Sequence, residues 1–355
     1  MGVLVYLVYG DDERFHLELT FSIASARKFM KDDPAGIRFA LVCDEKNARH
    51  DLDLEHIFIS AEDIRAWQFD GQYNHAIKPH VVRHALGTCQ DKVAFVDTDT
   101  FFLAHPRSMF DRIGKARTLL CSDEATLADD ADNSWAKTTE TVTELLGRYP
   151  ISLQTRMNNS GVIGIDPADA GLLDDVIGVM RELREIDKVF SAEQLAATMV
   201  FQTHTSVSFC TDEVDHYTAR TCGYYQYQFK KSYPIRDRAA FQKLIETDFD
   251  WKLEPPIKLK WRILARLMML RRGGDGAYAS AYQSYLHAFD EPDDPELANV
   301  YSEQALDMLI YGCRTRYPFT VKDMARLSPT QLGNVQWLDR RNRTRWSDYW
   351  ASYLG

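Results

Sequence analysis

The sequence lacks any apolar run near the roughly 18 residues that a membrane-spanning helix requires, so no span is expected. It has no CxxC pair. Its six cysteines, Cys43, Cys89, Cys121, Cys210, Cys222 and Cys313, are scattered. That argues for reduced thiols and against a disulfide frame or a zinc site. There is no internal repeat and no low-complexity tract, which excludes solenoid and disordered classes. The opening MGVLVYLVYGDD has no basic stretch and runs straight into a strand pattern, so a cleaved leader is not expected. It also lacks the Ser or Thr of a myristoylation site. A basic balance is missing too. The net charge is −10, which excludes a general nucleic-acid binder.

What remains is an ordinary globular composition over 355 residues, 45% apolar and 26% charged. The length suits two domains, or one large α/β domain with an extension. Short apolar runs at 3–10, 37–44, 56–60, 92–103, 118–123, 158–166 and 207–219 read as strands. Helical spacing recurs at 13–31, 73–86, 133–149, 168–185 and 191–201, with Pro79 the awkward residue of the second. In the first, Leu17, Phe21, Ala24 and Phe29 are the expected core contacts. Alternating strands and helices predict an α/β domain with a mostly parallel sheet. The composition changes near Pro255-Pro256, and 277–290 and 296–311 again read as helices. The expected division is residues 1–250 as the α/β domain and 251–355 as a mainly α extension.

The strongest chemical signal is Asp97-Thr98-Asp99 after KVAFV. A buried strand delivers two carboxylates to its C-terminal end, the edge where open α/β sheets bind ligands. Residues two apart on a strand point the same way, so both acids can converge on one cation. Oxygen ligands favour Mg²⁺ or Mn²⁺. MNNSGVIGID adds small polar groups and a glycine where backbone can approach a ligand, although Asn158 to Gly161 also reads as a turn. VDHYTA places His216 after a late strand, as a third ligand or as an ordinary hydrogen-bonded histidine. The acidic stretch 123–132 reads as a solvated loop or a lid over an acceptor.

The order strand–DTD, NNSGVIGID, Glu193-Gln194 and DHYTA resembles the nucleotide-sugar glycosyltransferases of the GT-A fold, most closely the retaining family 8 type. The resemblance covers about residues 1–230. It implies a Rossmann-like sheet with flanking helices and a metal site of Asp97, Asp99 and His216. It places Tyr9, Gly10 and Asp44 by the base and ribose. Lys78 would face the diphosphate or the donor sugar, Thr98 would belong to the donor site, Asn159 and Ser160 would lie by the sugar, and Glu193 and Gln194 by the anomeric carbon. Glu193 departs from the usual Asp. No Lys follows His216 closely, which leaves Arg220 or Lys230 for the phosphate contact. The implied reaction is sugar transfer from a UDP-linked donor, with Mn²⁺ or Mg²⁺, to a glycan or lipid-linked acceptor. Two rival readings share these residues: an aspartate-nucleophile phosphatase built on Asp97-Thr98-Asp99-Thr100, and a non-catalytic sugar- or membrane-binding protein.

Residues 256–272 carry six basic residues and no acid. As a helix, Lys258, Arg262, Arg266 and Arg272 fall on one side. Ile257, Trp261, Leu264, Leu267 and Met268 fall on the other, interrupted by Lys260 and Arg271. RRNRTR at 340–345, among Trp337, Trp346, Tyr349, Trp350 and Tyr353, forms a second basic patch. The first reads either as an interfacial helix on an anionic bilayer or as a helix packed on the fold with its basic side in water. The expected setting is cytoplasmic, with peripheral attachment to the inner face of a membrane.

Overall fold

The computed structural model describes residues 2–32, 36–127, 147–149, 152, 154–186, 192–217, 222–233, 236–247, 258–271, 276–291, 293–312 and 324–354. The helix expected at 133–149 therefore lies almost wholly outside the described residues. The chain divides into two compact units. One comprises 1–216 with 233–251, and the other 217–232 with 252–355.

The first unit is built on a seven-stranded sheet: β1 (Gly2–Val8), β2 (Ile37–Cys43), β3 (Glu55–Phe58), β4 (Val93–Val96), β6 (Arg117–Thr126), β7 (Arg156–Ile165) and β8 (Ser206–Phe209). Its spatial order is β3-β2-β1-β4-β7-β6-β8. All neighbouring pairs are parallel except those of β7, which runs against both β4 and β6. A two-stranded sheet pairs β5 (Thr100–Phe102) with β9 (Val214–His216). The helices of this unit are α1 (Glu13–Met30), α2 (Ala61–Trp67), α3 (Ile77–Cys89), α4 (Arg107–Arg112), α5 (Gly171–Ile186), α6 (Ala192–His204) and α8 (Arg238–Glu246); α7 (Cys222–Ser232) belongs to the second unit. The α/β architecture with a mostly parallel sheet is thus observed.

The central strands β1 and β4 are apolar throughout because both faces of the sheet are covered there. Val3, Leu4, Val5 and Tyr6 of central β1 are fully buried, each aliphatic side chain contributing about 1.5–3 kcal/mol. Helix α1 is buried on nearly every side from His16 to Ala26. Phe29, expected in the core, is 38% exposed near its end. Pro79 is harmless because it occupies the first turn of α3, where its missing N–H has no intrahelical partner to lose.

Two runs that read as single strands are each broken. Residues 92–103 divide into β4 and β5 around a bend at 97–99, and 207–219 divide into β8 and β9 around 210–213. Both breaks let the chain leave the large sheet and form the β5–β9 ribbon, in which Thr100 pairs with His216.

The second unit is helical, with α9 (Leu259–Arg271), α10 (Gly276–Ala288), α11 (Pro295–Asp307) and α12 (Arg340–Leu354) beside α7. Its core gathers Tyr285, Leu306, Leu309, Trp346 and Trp350. Trp346 and Trp350 of the aromatic tail are therefore core, with Trp337 and Tyr349 partly buried against it. Trp346 Nε1 donates to Ser302 Oγ at 2.9 Å and Trp350 Nε1 to the Leu327 carbonyl at 2.6 Å. Three of the four arginines of the basic patch beside it are also engaged within the fold. Arg345 pairs with Glu303 and Asp307, Arg341 with Glu303, and Arg343 caps the Leu332, Val335 and Leu338 carbonyls. No helix among the described residues is long and apolar enough to cross a membrane.

Candidate metal centre and active site

Asp97 and Asp99 converge through the bend after β4, not through strand alternation. The bend is pinned at three points. Asp97 N–H donates to the Gly161 carbonyl at 2.8 Å, Thr98 Oγ1 donates to the buried carboxylate of Glu18 at 2.9 Å, and Thr100 Oγ1 donates to the Asp97 carbonyl at 2.8 Å. Because Thr100 donates its proton there, its oxygen must accept from Ser22, and Ser22 in turn from Tyr6. A one-directional chain of hydroxyls, buried between β1 and α1, thus fixes the turn that carries the acids. Thr98, expected in the donor site, spends its hydroxyl on this frame.

The β5–β9 ribbon brings His216 to the same place. Its Nε2 lies 3.2 Å from Asp99 Oδ1 and 3.8 Å from Asp97 Oδ2. Its Nδ1 is 3.0 Å from Asn159 Oδ1. That oxygen already accepts the Gly161 N–H at 2.8 Å, while Asn159 Nδ2 donates to Glu124 Oε1 at 2.7 Å, which fixes the orientation of the amide. An oxygen can only accept, so Nδ1 carries a proton; Nε2 faces the two carboxylates and, in the neutral ring, would be the nitrogen that meets a cation. Gly161 is required for this approach: a Cβ there would stand 2.4 Å from His216 Nδ1.

Lys78, on α3, donates to Asp97 Oδ2 at 2.5 Å and reaches the Ser160 carbonyl at 3.5 Å. Glu193, at the start of α6, is buried and accepts from Ser160 Oγ at 2.9 Å; its N–H donates to Tyr73 Oη. Its other oxygen, Oε1, is buried without a hydrogen-bond partner. Gln194 Nε2 donates to Glu124 Oε2 at 2.7 Å. The structure therefore unites Lys78, Asp97, Asp99, Asn159, Ser160, Glu193, Gln194 and His216 in one network.

The charges are strongly coupled. Burial opposes charge on Asp99, but His216 overrides it and holds the carboxyl below its usual range. Burial, with Asp99 adding to it against Lys78, raises Asp97. Burial alone would depress His216, yet Asp99 and Asp97 hold its pKa well above the usual imidazole value. Burial likewise opposes the Lys78 ammonium, and Asp97 and Glu193 outweigh it and raise its pKa. Burial pushes Glu193 up to about 7, against the pull of Lys78 and Ser160. Cys121 lies by His216; a hydrogen bond from Cys210 and the imidazole draw its thiol down to about 6.

This donor set fits a divalent ion. The ligand atoms of Asp97, Asp99 and His216 all lie within 4.8 Å of one another, and theirs is the one such cluster found among the described residues. Two carboxylates and an imidazole suit Mn²⁺ or Mg²⁺. The orphaned Glu193 Oε1 marks the same region as unsatisfied without a further group.

No family model matches the chain, and no curated protein matches its sequence. Among solved structures it is similar to the galactosyltransferase LgtC in complex with donor and acceptor sugar analogues, at 13% identity over 74% of this chain and 99% of that one, with a TM-score of 0.42. It is also similar to mouse xyloside xylosyltransferase 1, at 11% identity over 59% and 85%, with a TM-score of 0.38. A third is the mannosyltransferase Ktr4p from S. cerevisiae, at 12% identity over 61% and 70%, with a TM-score of 0.40. Values this low leave a functional assignment to the geometry of the site itself.

The remaining expected residues lie elsewhere. Tyr9, Gly10 and Asp44 sit at the C-terminal ends of β1 and β2, and Asn47 draws Gly10 and Asp44 together. Asn47 Nδ2 donates to the Gly10 carbonyl and to Asp44 Oδ1, at 3.0 and 2.7 Å. Tyr9 Oη accepts from Gln68 at 2.8 Å. Gly10 adopts φ +85°, a backbone state that favours glycine. Arg220 lies outside the described residues, and Lys230, on α7, is exposed and paired with Glu296 at 2.7 Å. Glu124 was missed because its acidic neighbourhood read as a loop; it stands on β6, where the pairing with β7 is irregular between Asp123 and Thr126, and it reaches the site by accepting from Asn159 and Gln194. Glu18 and Asn47 gave no sequence signal, since each is one polar residue inside an otherwise ordinary segment.

The basic segment differs from its expected arrangement. Lys258 precedes α9 and pairs with Asp290 and Glu291, at 3.1 and 3.3 Å. Lys260 pairs with Asp290 at 3.2 Å and lies over the Trp261 ring. Trp261 donates to Asp290, Ala265 is buried and Met268 packs on the core, so these form the inner face. Leu264 and Leu267, expected with them, are exposed, as are Arg262 and Arg266. Arg271 ends the helix and Arg272 lies outside the described residues.

Proposed function

We propose that the chain is a metal-dependent glycosyltransferase of GT-A type, moving a sugar with retention from a nucleoside diphosphate, UDP by preference, to a glycan or lipid-linked acceptor. The observation that carries this reading is the convergence of Asp97, Asp99 and His216 at the end of a parallel strand, with a buried lysine and a buried carboxyl beside them. Asp97, Asp99 and His216 Nε2 hold the ion, and a divalent ion there supplies charge neutralisation for a departing diphosphate.

The chain's own groups do the rest. The Lys78 ammonium adds positive charge on the leaving-group side, in a buried setting where it counts for more than in water. Asn159 orients His216 and is thereby a positioning residue. Ser160 Oγ orients Glu193. Glu193, poised near neutrality, and the amide oxygen of Gln194 offer negative charge to the sugar ring as its bond to the diphosphate lengthens. Among the described residues no carboxylate besides Glu193 stands out as an inverting enzyme's general base, and the retaining reading rests on the resemblance to the family 8 type. Tyr9, Gly10 and Asp44 form the base and ribose end of the donor site, with Arg220 as a further phosphate contact.

The test is thermal-shift screening of the full chain against nucleotide sugars with and without Mn²⁺. A UDP-sugar should stabilise the protein in the presence of Mn²⁺, because a ligand of the native state raises its stability. Asp99→Asn should remove the Mn²⁺-dependent part of that shift. An undiminished shift in the variant would defeat the assignment.

A further inference from the structure

Helix α9 has two apolar faces, and only one is covered. Trp261, Ala265 and Met268 face the core of the C-terminal unit. Leu259, Ile263, Leu264, Leu267 and Leu270 are between 40% and 70% exposed. At about 100° per residue, Leu259, Ile263, Leu267 and Leu270 fall within about 80° of one another. Lys260 flanks this stripe on one side, and Arg262 and Arg266 flank it on the other. The helix contains no acidic residue. Arg262 and Arg266 have no ion-pair partner among the described residues, unlike Lys258 and Lys260.

We infer that this outer face of α9 docks on an anionic lipid bilayer. A helix lying in the plane of a membrane needs a narrow aliphatic stripe bordered by cations, and that is the observed arrangement. The leucines and the isoleucine would enter the acyl boundary while the arginines meet lipid phosphates. A second copy of the chain is a poorer occupant. A twofold contact would set one basic-flanked stripe against another and bring like charges together. The chain as a whole carries a net charge of −10, whereas α9 carries no acid. The stripe is not the one expected from sequence spacing: Trp261 and Met268 turn inward and Leu259, Ile263 and Leu270 replace them. The inference stands apart from the sugar-transfer reading, because vesicle binding is measured without donor or metal.

The experiment is cosedimentation of the full chain with vesicles of phosphatidylcholine alone and of phosphatidylcholine mixed equally with phosphatidylglycerol. Binding is expected to the anionic vesicles, weakening as salt rises. Arg262→Gln with Arg266→Gln should weaken it roughly 30-fold. Ile263→Asp with Leu267→Asp should abolish it, while Ile263→Val with Leu267→Val retains it. Circular dichroism and the thermal midpoint of each variant should match the parent, since all four side chains are exposed. The inference is overturned if the parent stays in the supernatant with anionic vesicles at low salt, or if the arginine and aspartate variants bind as the parent does. It is equally overturned if the parent is a dimer that Ile263→Asp with Leu267→Asp dissociates.

Discussion

The site of the first unit withdraws its charges from solvent and gives each several partners, whereas helix α9 of the second leaves two arginines and five aliphatic side chains in solvent. In the first, Asp97, Asp99, Glu193, Lys78 and His216 alter one another's protonation, because a low-dielectric setting makes each neighbour felt. In the second, water screens the charges, and their value lies in what they can meet from outside. Buried charge arranged this way is chemistry held ready. Exposed charge beside exposed leucine is a surface for something else. The contrast makes removal of one charge expensive in the first region and nearly free in the second.

Asp99→Asn should show the largest effect. It removes a ligand and leaves His216 facing an amide, so sugar-transfer or donor-hydrolysis activity should fall by at least about 10³-fold, measured with saturating Mn²⁺. Retained activity would show that the acid is structural only. Glu193→Gln follows. The folded-state pKa of Glu193 is raised, to about 7 from an ordinary value of 4.5, so its carboxyl favours folding below pH 4.5 and that contribution is lost as pH rises through 7. Relative to Glu193→Gln, the parent should lose up to about 3 kcal/mol of stability across that window, read from denaturant titrations at several pH values. Parallel pH profiles would contradict the burial argument.

Gly161→Ala should be milder. The new methyl group would push the imbalance onto His216 and Asn159, weakening Mn²⁺ binding about 10–100-fold by calorimetry. The smallest effect belongs to the exposed helix: Arg262→Gln should change stability by less than about 0.5 kcal/mol in the same titrations. If it cost as much as a buried change, the two regions would not differ as described.

Much of this was legible in the sequence. Central parallel strands such as β1 and β4 are unbroken apolar runs, and the acids after β4 follow directly from where that run stops. The Asn159-Ser160-Gly161 segment was readable as a site candidate because small polar residues and a glycine lie within an otherwise apolar strand, and His216 because it ends a late one. The breaks at 97–99 and 210–213 were not readable. Periodicity over a dozen residues cannot show that a chain changes sheets. Glu124 was hidden by the acids around it, which suggested solvent although its carboxylate accepts from the Asn159 amide. The outer face of α9 was misjudged for a different reason. A helix rich in leucine and arginine has more than one amphipathic division, and only the packing of Ala265 and Met268 against the core decides which face is left outside.

The central claim is that Asp97, Asp99 and His216 together hold one divalent cation. Anomalous diffraction at the manganese edge, from crystals of the full chain soaked with Mn²⁺ and UDP, tests it directly. The account predicts a single strong peak bounded by the two carboxylates and His216 Nε2. A peak lodged elsewhere, or none at that position with the ion present, would contradict it.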